Sequence, residues 1–416
     1  MEAGDINGQL YRMADHLLAG LWLRQGEALD FLNDVSLFLY ALAKEHPDFP
    51  GQLKSTDCRN ISAGIVRCHA ELGQLDYRFG SMLPNVSDDV WYGVIECLRL
   101  VASGRQRKQD AGRLFDYLLQ QMYVKEKIGN FITPRTLADM MACMLDPKPG
   151  QVVLDPVCGS GRLLIAAARH CKNCHYIGID IDEKIRITAF FYMAFHEVFD
   201  KTLYRKDFLE GGWKEQADVI LANPPYSDDI HETISFMQGI MDALKPDGRC
   251  GILVPEGFLT NTVNRDVIDM RRCLLYSHCL EGVISLPRKL YKPYTVSKSS
   301  LILLKKKAAL PGEPIFFSCV TEYDGAESEF SDAVYEQDMK RIAKAWEFRE
   351  KRPDIFWRAS PEEIKGKDYI LGADHYRKSN YMYMYSKTES LRESILAGQA
   401  ELKRYMDNYF REDSVI

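Results

Sequence analysis

The run Asn223-Pro224-Pro225-Tyr226 has the composition to position an amino group for chemistry. It follows an apolar stretch, residues 219–222, that reads as a short buried strand. Two prolines must end that strand, because proline has no N–H for a sheet and fixes φ. The Asn223 side-chain oxygen and the Pro224 carbonyl can each accept one N–H of an exocyclic –NH2, and Tyr226 can stack on the ring that carries it. Taken alone, the run is equally typical of a Pro-rich surface turn.

A glycine-rich turn follows the apolar stretch 152–154 and precedes a helical stretch. Its residues are Asp155, Pro156, Val157, Cys158, Gly159, Ser160 and Gly161. A strand, a glycine turn and a helix form the first half of a βαβ unit, and the glycines let a ligand approach the backbone. Leu164 stands where a dinucleotide-binding fingerprint would place its third glycine. The acid before the turn therefore suits a ligand with a cationic end rather than a pyrophosphate.

Further polar residues follow the next strands of the predicted sheet. The second strand ends in Asp180, and an acid at that position can bind both ribose hydroxyls. A third segment ends in Asp207 and Phe208, which offer a carboxylate to an adenine amino group and a ring to its face. Four successive strand ends with polar residues predict one binding edge on a doubly wound α/β sheet.

A segment before the first strand offers a helix start. It consists of Gly129, Asn130, Phe131, Ile132, Thr133 and Pro134, and apolar residues at helical spacing follow it. Thr133 is a good N-cap with Pro134 at the first helical position. The free N–H groups of such a helix start suit a carboxylate or phosphate, although an ordinary capped helix has the same pattern.

Two other clusters bear on binding. The basic loop 288–295 contains Tyr291 and Tyr294, and basic residues between aromatic ones are typical of a nucleic-acid groove with a stacked base, or else of a solvated loop. Cys171 and Cys174 stand between two histidines, but no second pair of ligands follows at zinc-site spacing. We therefore predict no metal site.

The elements that must position these residues suggest three regions. Residues 1–125 read as a helical domain, residues 126–310 as the catalytic domain, and residues 311–416 as a C-terminal extension. Further strands are predicted at 251–255, 282–287 and 300–304, with one more within 311–322 and a charged helix at 335–352. The chain then ends in an amphipathic helix, about 386–410, which either packs on its own domain or docks on a partner subunit.

Composition limits the class of protein. The chain has 416 residues, 46% hydrophobic and 27% charged, which is ordinary for a soluble globular protein. No apolar run approaches the roughly 18–20 residues that span a bilayer, and no signal peptide is evident. Eleven cysteines without a framework of spacings fit reduced thiols in a cytoplasm. A net charge of −6 means that a polyanionic partner would need a local basic face.

Together these residues resemble the N6-adenine DNA methyltransferases, and most closely the modification subunit of type I restriction–modification systems. The resemblance rests on the entry segment 129–135, the loop 155–164, Asp180, the pair 207–208 and the tetrapeptide 223–226. It implies an α/β fold with a doubly wound, Rossmann-like core that depends on S-adenosylmethionine, an N-terminal all-helical domain and a C-terminal helical tail. Arg162 departs from the family, which usually has a small residue after the glycine loop.

The resemblance also implies roles and partners. The entry segment and the glycine turn would hold the amino-acid end of S-adenosylmethionine, Asp180 its ribose, and Asp207 with Phe208 its adenine. An adenine flipped out of double-stranded DNA would stack on Tyr226 and Tyr291. Sequence choice would lie in a separate specificity subunit, with a restriction subunit as a further candidate partner. The alternatives are an amino methyltransferase that acts on RNA or on a protein glutamine, and a non-catalytic assembly subunit.

Overall fold

The structure is a computed structural model of the 416-residue chain. The residues it describes are 3–19, 27–44, 58–75, 77–103, 107–126, 132–225, 229–277, 280–288, 290–291, 297–307, 312–321 and 333–377. The amphipathic helix predicted at 386–410 lies outside these ranges. In the described ranges, no helix has the length and apolar character that a membrane crossing requires.

The N-terminal region is helical, as the leucine spacing predicts. Its helices are α1 Ala3–Ala19, α2 Ala28–Ala43, α3 Cys58–Cys68, α4 Ala70–Gly73, α5 Asp88–Ser103 and α6 Arg107–Glu126. Helix α2 is apolar around most of its circumference and is almost wholly buried, which is typical of a central helix. It packs against α5 and α6 on its own side and against a helix of the α/β core, α9 Glu183–Phe195.

One mixed sheet of nine strands lies at the centre of the rest of the described chain. The strands are β1 Val152–Asp155, β2 His175–Asp180, β3 Lys201–Arg205, β4 Ala217–Ala222, β5 Leu244–Pro255, β6 Leu280–Ser285, β7 Ser299–Lys305, β8 Ile315–Cys319 and β9 Trp357–Ala359. Their order is β3-β2-β1-β4-β5-β7-β6-β8-β9. Strands β1 to β5 pair in parallel, and β7 runs antiparallel to both of its neighbours.

Helices cover both faces of this sheet. Those after α6 are α7 Arg135–Leu145, α8 Arg162–His170, α9, α10 Ile230–Ala243, α11 Glu256–Thr260, α12 Arg265–Tyr276, α13 Ala333–Ala345 and α14 Pro361–Lys365. Successive strand residues enter different cores: Leu301 and Leu303 pack with α7, α8 and α13, whereas Ile302 and Leu304 pack with α10 and α12. This alternation follows from the two-residue period of a strand. The doubly wound α/β core is confirmed.

The sheet continues beyond the predicted catalytic domain. The strand expected within 311–322 is β8, which pairs with β6, and β9 adds the last strand. The charged helix predicted at 335–352 is α13 followed by a 3-10 segment, Trp346–Lys351. Six of its side chains pack into the core, namely Tyr335, Met339, Ile342, Ala343, Ala345 and Trp346. The division of the chain at residues 125 and 310 stays a prediction.

Candidate active site

Three polar residues lie at the carboxyl ends of neighbouring parallel strands. Asp155 ends β1, Asp180 ends β2, and Asn223 follows the last residue of β4. β1 pairs with β2 on one side and with β4 on the other, so the order of the strands reverses direction at β1. Open α/β sheets bind ligands at such a reversal. The structure therefore brings these three predicted residues to one edge.

The Asn223 side chain is held by the entry segment. Its Nδ2 donates a hydrogen bond to Thr133 Oγ1 at 3.0 Å, and Thr133 is itself buried. Its Oδ1 is also buried, and no donor in the described part of the chain reaches it. A buried acceptor without a donor costs about 1–3 kcal/mol. The amide oxygen is therefore poised to accept a hydrogen bond from a bound molecule.

Thr133 has a different role from the one its position suggests. The prediction that it caps α7 is wrong, because Pro134 is the N-cap residue and no side chain caps the helix. The Thr133 hydroxyl instead accepts the hydrogen bond from Asn223, 90 residues along the chain. A capping pattern in sequence is local, so it could not reveal this long-range partner.

A narrow cavity of about 40 Å³ lies beside Asn223. Its lining joins the entry segment, the glycine turn and the end of β4, and consists of Ile132, Thr133, Asp155, Val157, Cys158, Gly159, Ser160, Arg162, Leu163 and Asn223. Seven of these ten were predicted as site residues from the sequence. One lining thus brings together segments that are distant in the sequence.

The glycine turn adopts the backbone that only glycine takes without strain. Gly159 has φ +52° and Gly161 has φ +83°, both in the left-handed region. A Cβ at Gly161 would approach Met193 to 3.3 Å, whereas a Cβ at Gly159 would meet no atom within 4 Å. Gly161 therefore serves close packing of the turn on α9, and Gly159 leaves open space for a ligand.

The two acids at this edge differ in their surroundings. Asp155 is fully buried and accepts a hydrogen bond from Val157 N at 3.1 Å, and its burial raises its pKa to about 8, with the nearby Asp180 adding to the effect. The Asp180 carboxylate accepts hydrogen bonds from Gly159 N and Asp182 N, each at 2.9 Å. Partial burial raises the pKa of Asp180 as well. Each acid keeps free lone pairs for a ligand's donors.

Asp207 and Phe208, which follow β3, have different surroundings: Asp207 lies at the carboxyl ends of the strands and Phe208 lies in the core. Lys206 N donates to the Asp180 carbonyl at 3.0 Å, which places Asp207 close to Asp180, and Asp207 Oδ1 accepts from Leu209 N at 2.8 Å. Phe208 is only 5% exposed, and its ring stacks on Phe236 of α10 with centroids 6.4 Å apart. The structure therefore places Phe208 in the core and not in the cavity.

The other predicted residues are not among the described residues that line the cavity. Gly129, Asn130, Phe131 and Tyr226 are outside the described residues. Pro134, Pro156 and Pro224 are buried and Pro225 is exposed. Tyr291 is 2% exposed and packs in the core cluster that includes Leu301 and Leu303, so it does not line the cavity. A base could stack on Tyr291 only after the ring leaves this core.

The histidines beside the Cys-x-x-Cys motif pair with acids. His170 Nε2 is hydrogen-bonded to Asp146 Oδ1 at 2.8 Å, and His175 Nδ1 to Asp200 Oδ1 at 2.6 Å. Within the described ranges, no three His, Cys, Asp or Glu side chains come together to hold a metal ion.

Comparison with protein families places this site in a known group. Residues 106–382, well over half of the chain, match the family described as N-6 DNA methylase. The chain belongs to this family. The match spans the entry segment, the glycine turn, Asn223 and the strands as far as β9.

Relatives of known type share the same region. The chain is 24% identical over 291 residues to the type I restriction enzyme EcoEI methylase subunit of Escherichia coli, covering 61% of this chain and 56% of that protein. It is 25% identical over 353 residues to the EcoKI methylase subunit of Escherichia coli strain K12, covering 70% and 65%. The aligned regions thus span between half and two thirds of the length of these relatives.

A solved structure shows the same fold. The methyltransferase subunit of a type I restriction–modification system from Streptococcus thermophilus superposes with a TM-score of 0.67 at 20% sequence identity. The match covers 91% of this chain and 100% of that one. The arrangement of helical region and sheet is therefore that of a known architecture.

Within this family, Arg162 is a cavity residue that sequence reasoning did not assign. Its guanidinium carbon lies 5.8 Å from the centre of the Tyr192 ring, and the Tyr192 hydroxyl donates to Asp116. These contacts join α8 to α9 and α6 at the rim of the cavity. The only signal in the sequence was the departure from the family's usual small residue.

Proposed function

We propose that this chain transfers a methyl group from S-adenosylmethionine to the exocyclic N6 of an adenine in double-stranded DNA. The buried Oδ1 of Asn223, which has no donor among the described residues, carries the proposal. An acceptor beside a small cavity at the strand ends needs a ligand with an N–H or O–H group. The family match and the relatives' names make an adenine in DNA the natural donor.

The amine is positioned by two acceptors. Asn223 Oδ1 takes one N–H of the adenine amino group, and the Pro224 carbonyl takes the other. The hydrogen bond from Asn223 Nδ2 to Thr133 fixes the amide plane, so Oδ1 keeps its direction when the base arrives. The nitrogen lone pair is then aimed into the cavity, toward the methyl donor. Such alignment of reacting atoms supplies a large part of a rate enhancement.

The cavity residues suit S-adenosylmethionine. Its amino-acid end carries a cationic amine, for which the Asp155 carboxylate is a partner, and the open space at Gly159 admits the ligand to the backbone. In this proposal Asp180 accepts hydrogen bonds from the ribose hydroxyls, and Asp207 accepts one from the adenine amine. The Phe208 ring lies in the core. Its contact with the face of that adenine therefore stays a prediction.

Asn223 and Thr133 need only hold the amine still, because bound S-adenosylmethionine supplies an already activated sulfonium methyl. When bound, S-adenosylmethionine would supply the methyl group and keep the electron pair of its carbon–sulfur bond on sulfur, while Asn223 and the Pro224 carbonyl hold N6 in line with that methyl group. N6 then loses one of its two protons to solvent. No base has to remove that proton before the attack.

The target base must leave the duplex to reach this edge. Extrusion of a nucleotide costs a few kcal/mol, and stacking on an aromatic ring returns about 1–3 kcal/mol. Tyr226 follows the tetrapeptide's prolines directly, and we propose that it supplies this ring. Tyr291 is the second candidate, and it would act only in a state in which its ring has left the core.

We further propose that the chain works in the cytoplasm with a separate specificity subunit. The relatives are named as subunits of type I restriction enzymes, which means that they act within an assembly. A restriction subunit as an additional partner stays a prediction.

The substrate class can be tested in cells, where any partner is present. Nucleosides from DNA and RNA, and a digest of total protein, are analysed by mass spectrometry in cells that carry the wild-type chain or Asn223→Ala. We expect N6-methyladenine in DNA to disappear in Asn223→Ala and to persist in the control Asn173→Ala, an exposed asparagine at the opposite edge of the sheet. Loss of a methylated RNA base or of methylglutamine, with DNA unchanged, would contradict the proposal.

A further inference from the structure

A second and larger cavity lies within the N-terminal helical region. Its volume is about 610 Å³, within the range of small-molecule sites. It lies between α3 and the segment 77–81, and we call it the helical cleft. The residues that carry the argument are Ser62, Arg67, Tyr77, Arg78 and Phe79.

The helical cleft contains a buried hydroxyl that no described residue satisfies. Ser62 is 1% exposed and lines the cleft, yet its Oγ has no hydrogen-bond partner in the described part of the chain. Buried hydroxyls in native proteins are nearly always hydrogen-bonded. A polar ligand in the cleft would supply the missing partner.

Two cations line the same cleft. Arg67 and Arg78 are both exposed, and neither forms an ion pair with an acid in the described ranges. Arg99 and Arg113 of the same helical region, by contrast, pair with Glu96 and Asp110. Guanidinium groups bind phosphate through two parallel hydrogen bonds. The pair therefore favours a phosphate-bearing ligand.

The wall that carries Arg78 is fixed before any ligand binds. The Asp34 carboxylate accepts hydrogen bonds from Gly80 N at 2.6 Å and from Met82 N at 2.8 Å, just after the aromatic residues of the wall. Tyr77 and Phe79 pack edge to face with ring centres 4.8 Å apart. A preformed wall lowers the entropy cost of binding.

The cleft is joined to the edge of the sheet that holds the candidate active site. The Tyr77 hydroxyl donates to Asp30 Oδ1 at 2.6 Å, and Lys184 Nζ donates to Asp30 Oδ2, also at 2.6 Å. Lys184 is in the first turn of α9, which begins three residues after Asp180. Three side chains thus connect the cleft to the carboxyl end of β2.

We propose that the helical cleft binds a phosphate-bearing nucleotide, with Arg67 and Arg78 on the phosphate, the Ser62 hydroxyl on the sugar or base, and Tyr77 with Phe79 as the apolar wall. The nucleotide comes either from a DNA strand or from free solution. Only the DNA source rests on the proposed function, because a free nucleotide would bind whatever reaction the chain catalyses.

Two probes separate these sources. Thymidine 5′-monophosphate and a short single-stranded oligonucleotide labelled with fluorescein are titrated into the full-length chain at low salt, by calorimetry and by fluorescence anisotropy. The double variant Arg67→Gln/Arg78→Gln is compared with the wild type. Arg12→Gln, an exposed arginine on α1, is the matched control. Thermal melting and S-adenosylmethionine affinity show whether each variant is folded.

We expect the double variant to lose about tenfold or more in affinity, because it removes the charged hydrogen bonds to the phosphate. Arg12→Gln should bind like the wild type, and Ser62→Ala should weaken binding without changing its dependence on salt. For the oligonucleotide, the slope of log affinity against log salt concentration should become shallower in the double variant by the amount that one phosphate contact contributes, about one.

The outcomes assign the source or overturn the proposal. An arginine-dependent affinity for the oligonucleotide without affinity for the monophosphate assigns the cleft to DNA, and an arginine-dependent affinity for the monophosphate assigns it to a free nucleotide. Equal binding by the double variant and the wild type, or no binding of either probe to the wild type, overturns it. Failure of the proposed function would appear separately, as DNA methylation that does not depend on Asn223.

Discussion

Asn223 Nδ2 donates a hydrogen bond to Thr133 Oγ1 at 3.0 Å, which joins the end of β4 to the segment before α7. The contact uses the donor side of the amide and leaves the buried acceptor, Oδ1, for a ligand. Two stretches that are distant in sequence thus act together: Thr133 positions the Asn223 amide, and Asn223 contacts the substrate.

Thr133→Val should slow methyl transfer about tenfold to a hundredfold, because a small displacement of a positioned group has an effect of that size. The change keeps the shape of the side chain and removes the acceptor for Asn223 Nδ2. Single-turnover methyl transfer and cofactor affinity measured separately provide the check. Thr133→Ser keeps the hydroxyl and should stay near the wild-type rate. Equal rates for the Val and Ser variants would show that the hydrogen bond does not position Asn223.

Cofactor affinity should rise with pH between about 6 and 8. Burial raises the pKa of Asp155 to about 8, so the free protein carries a neutral carboxyl group at lower pH. A cationic ligand end needs the carboxylate, so binding below that pKa must release a proton. Affinity should therefore fall by up to about tenfold for each pH unit below that pKa. Calorimetry in two buffers of different ionisation enthalpy measures the proton release. Asp155→Asn should release no such proton.

The same group has the opposite effect on the stability of the free protein. A carboxyl whose pKa is higher in the folded state than in the unfolded state favours folding while it is protonated, and this contribution is lost as the pH rises through about 8. The midpoint of urea unfolding should therefore decline from about pH 6 to 8 in the wild type, and decline less in Asp155→Asn. An identical decline in both would mean that Asp155 is ionised in the free protein.

Phe208→Ala should destabilise the fold by about 3–5 kcal/mol, as for other buried phenylalanines. The ring stacks on Phe236 and is 5% exposed, so its removal leaves a void beneath α10. Denaturant unfolding measures the loss. Phe208→Leu refills most of the void and therefore tests the predicted contact of the ring with the adenine of the cofactor. An unchanged cofactor affinity would make Phe208 a core residue alone, whereas a weaker affinity would support that contact.

Gly159→Ala should weaken cofactor binding more than it weakens the fold. The residue has φ +52°, where a side chain costs about 1–2 kcal/mol, and the added methyl group would lie in open space beside the cavity. Gly312→Ala is the matched control, because Gly312 also has positive φ and open surroundings but lies before β8. Equal cofactor affinity in the two variants would exclude Gly159 from the binding surface.

The features that the sequence revealed depend on local patterns. The apolar run 300–304 reads as a strand because both of its faces are buried, and the polar strand ends at Asp155, Asp180 and Asn223 share one edge because the strands are parallel. The glycine turn was recognisable because a left-handed backbone restricts the residue type. Local constraints of this kind do not require knowledge of the distant chain.

The features that the sequence missed depend on long-range packing. Nothing local shows that β7 inserts between β5 and β6, since that register is set by contacts across the sheet. Phe208 looks like a ligand-facing residue until α10 is placed against it, and Tyr291 looks exposed until the core around it is assembled. The helical cleft likewise forms from segments whose sequences carry no binding motif.

The most direct test of the account separates cofactor binding from methyl transfer in Asn223→Ala. S-adenosylmethionine affinity is measured by calorimetry, and single-turnover transfer of labelled methyl to unmethylated DNA is measured with the assembly that a tagged chain recovers from its own cells. We predict a cofactor affinity close to that of the wild type and a transfer rate at least about a hundredfold lower, since the orientation of the amine is lost. A transfer rate near that of the wild type would contradict the role of Asn223 and the mechanism built on it.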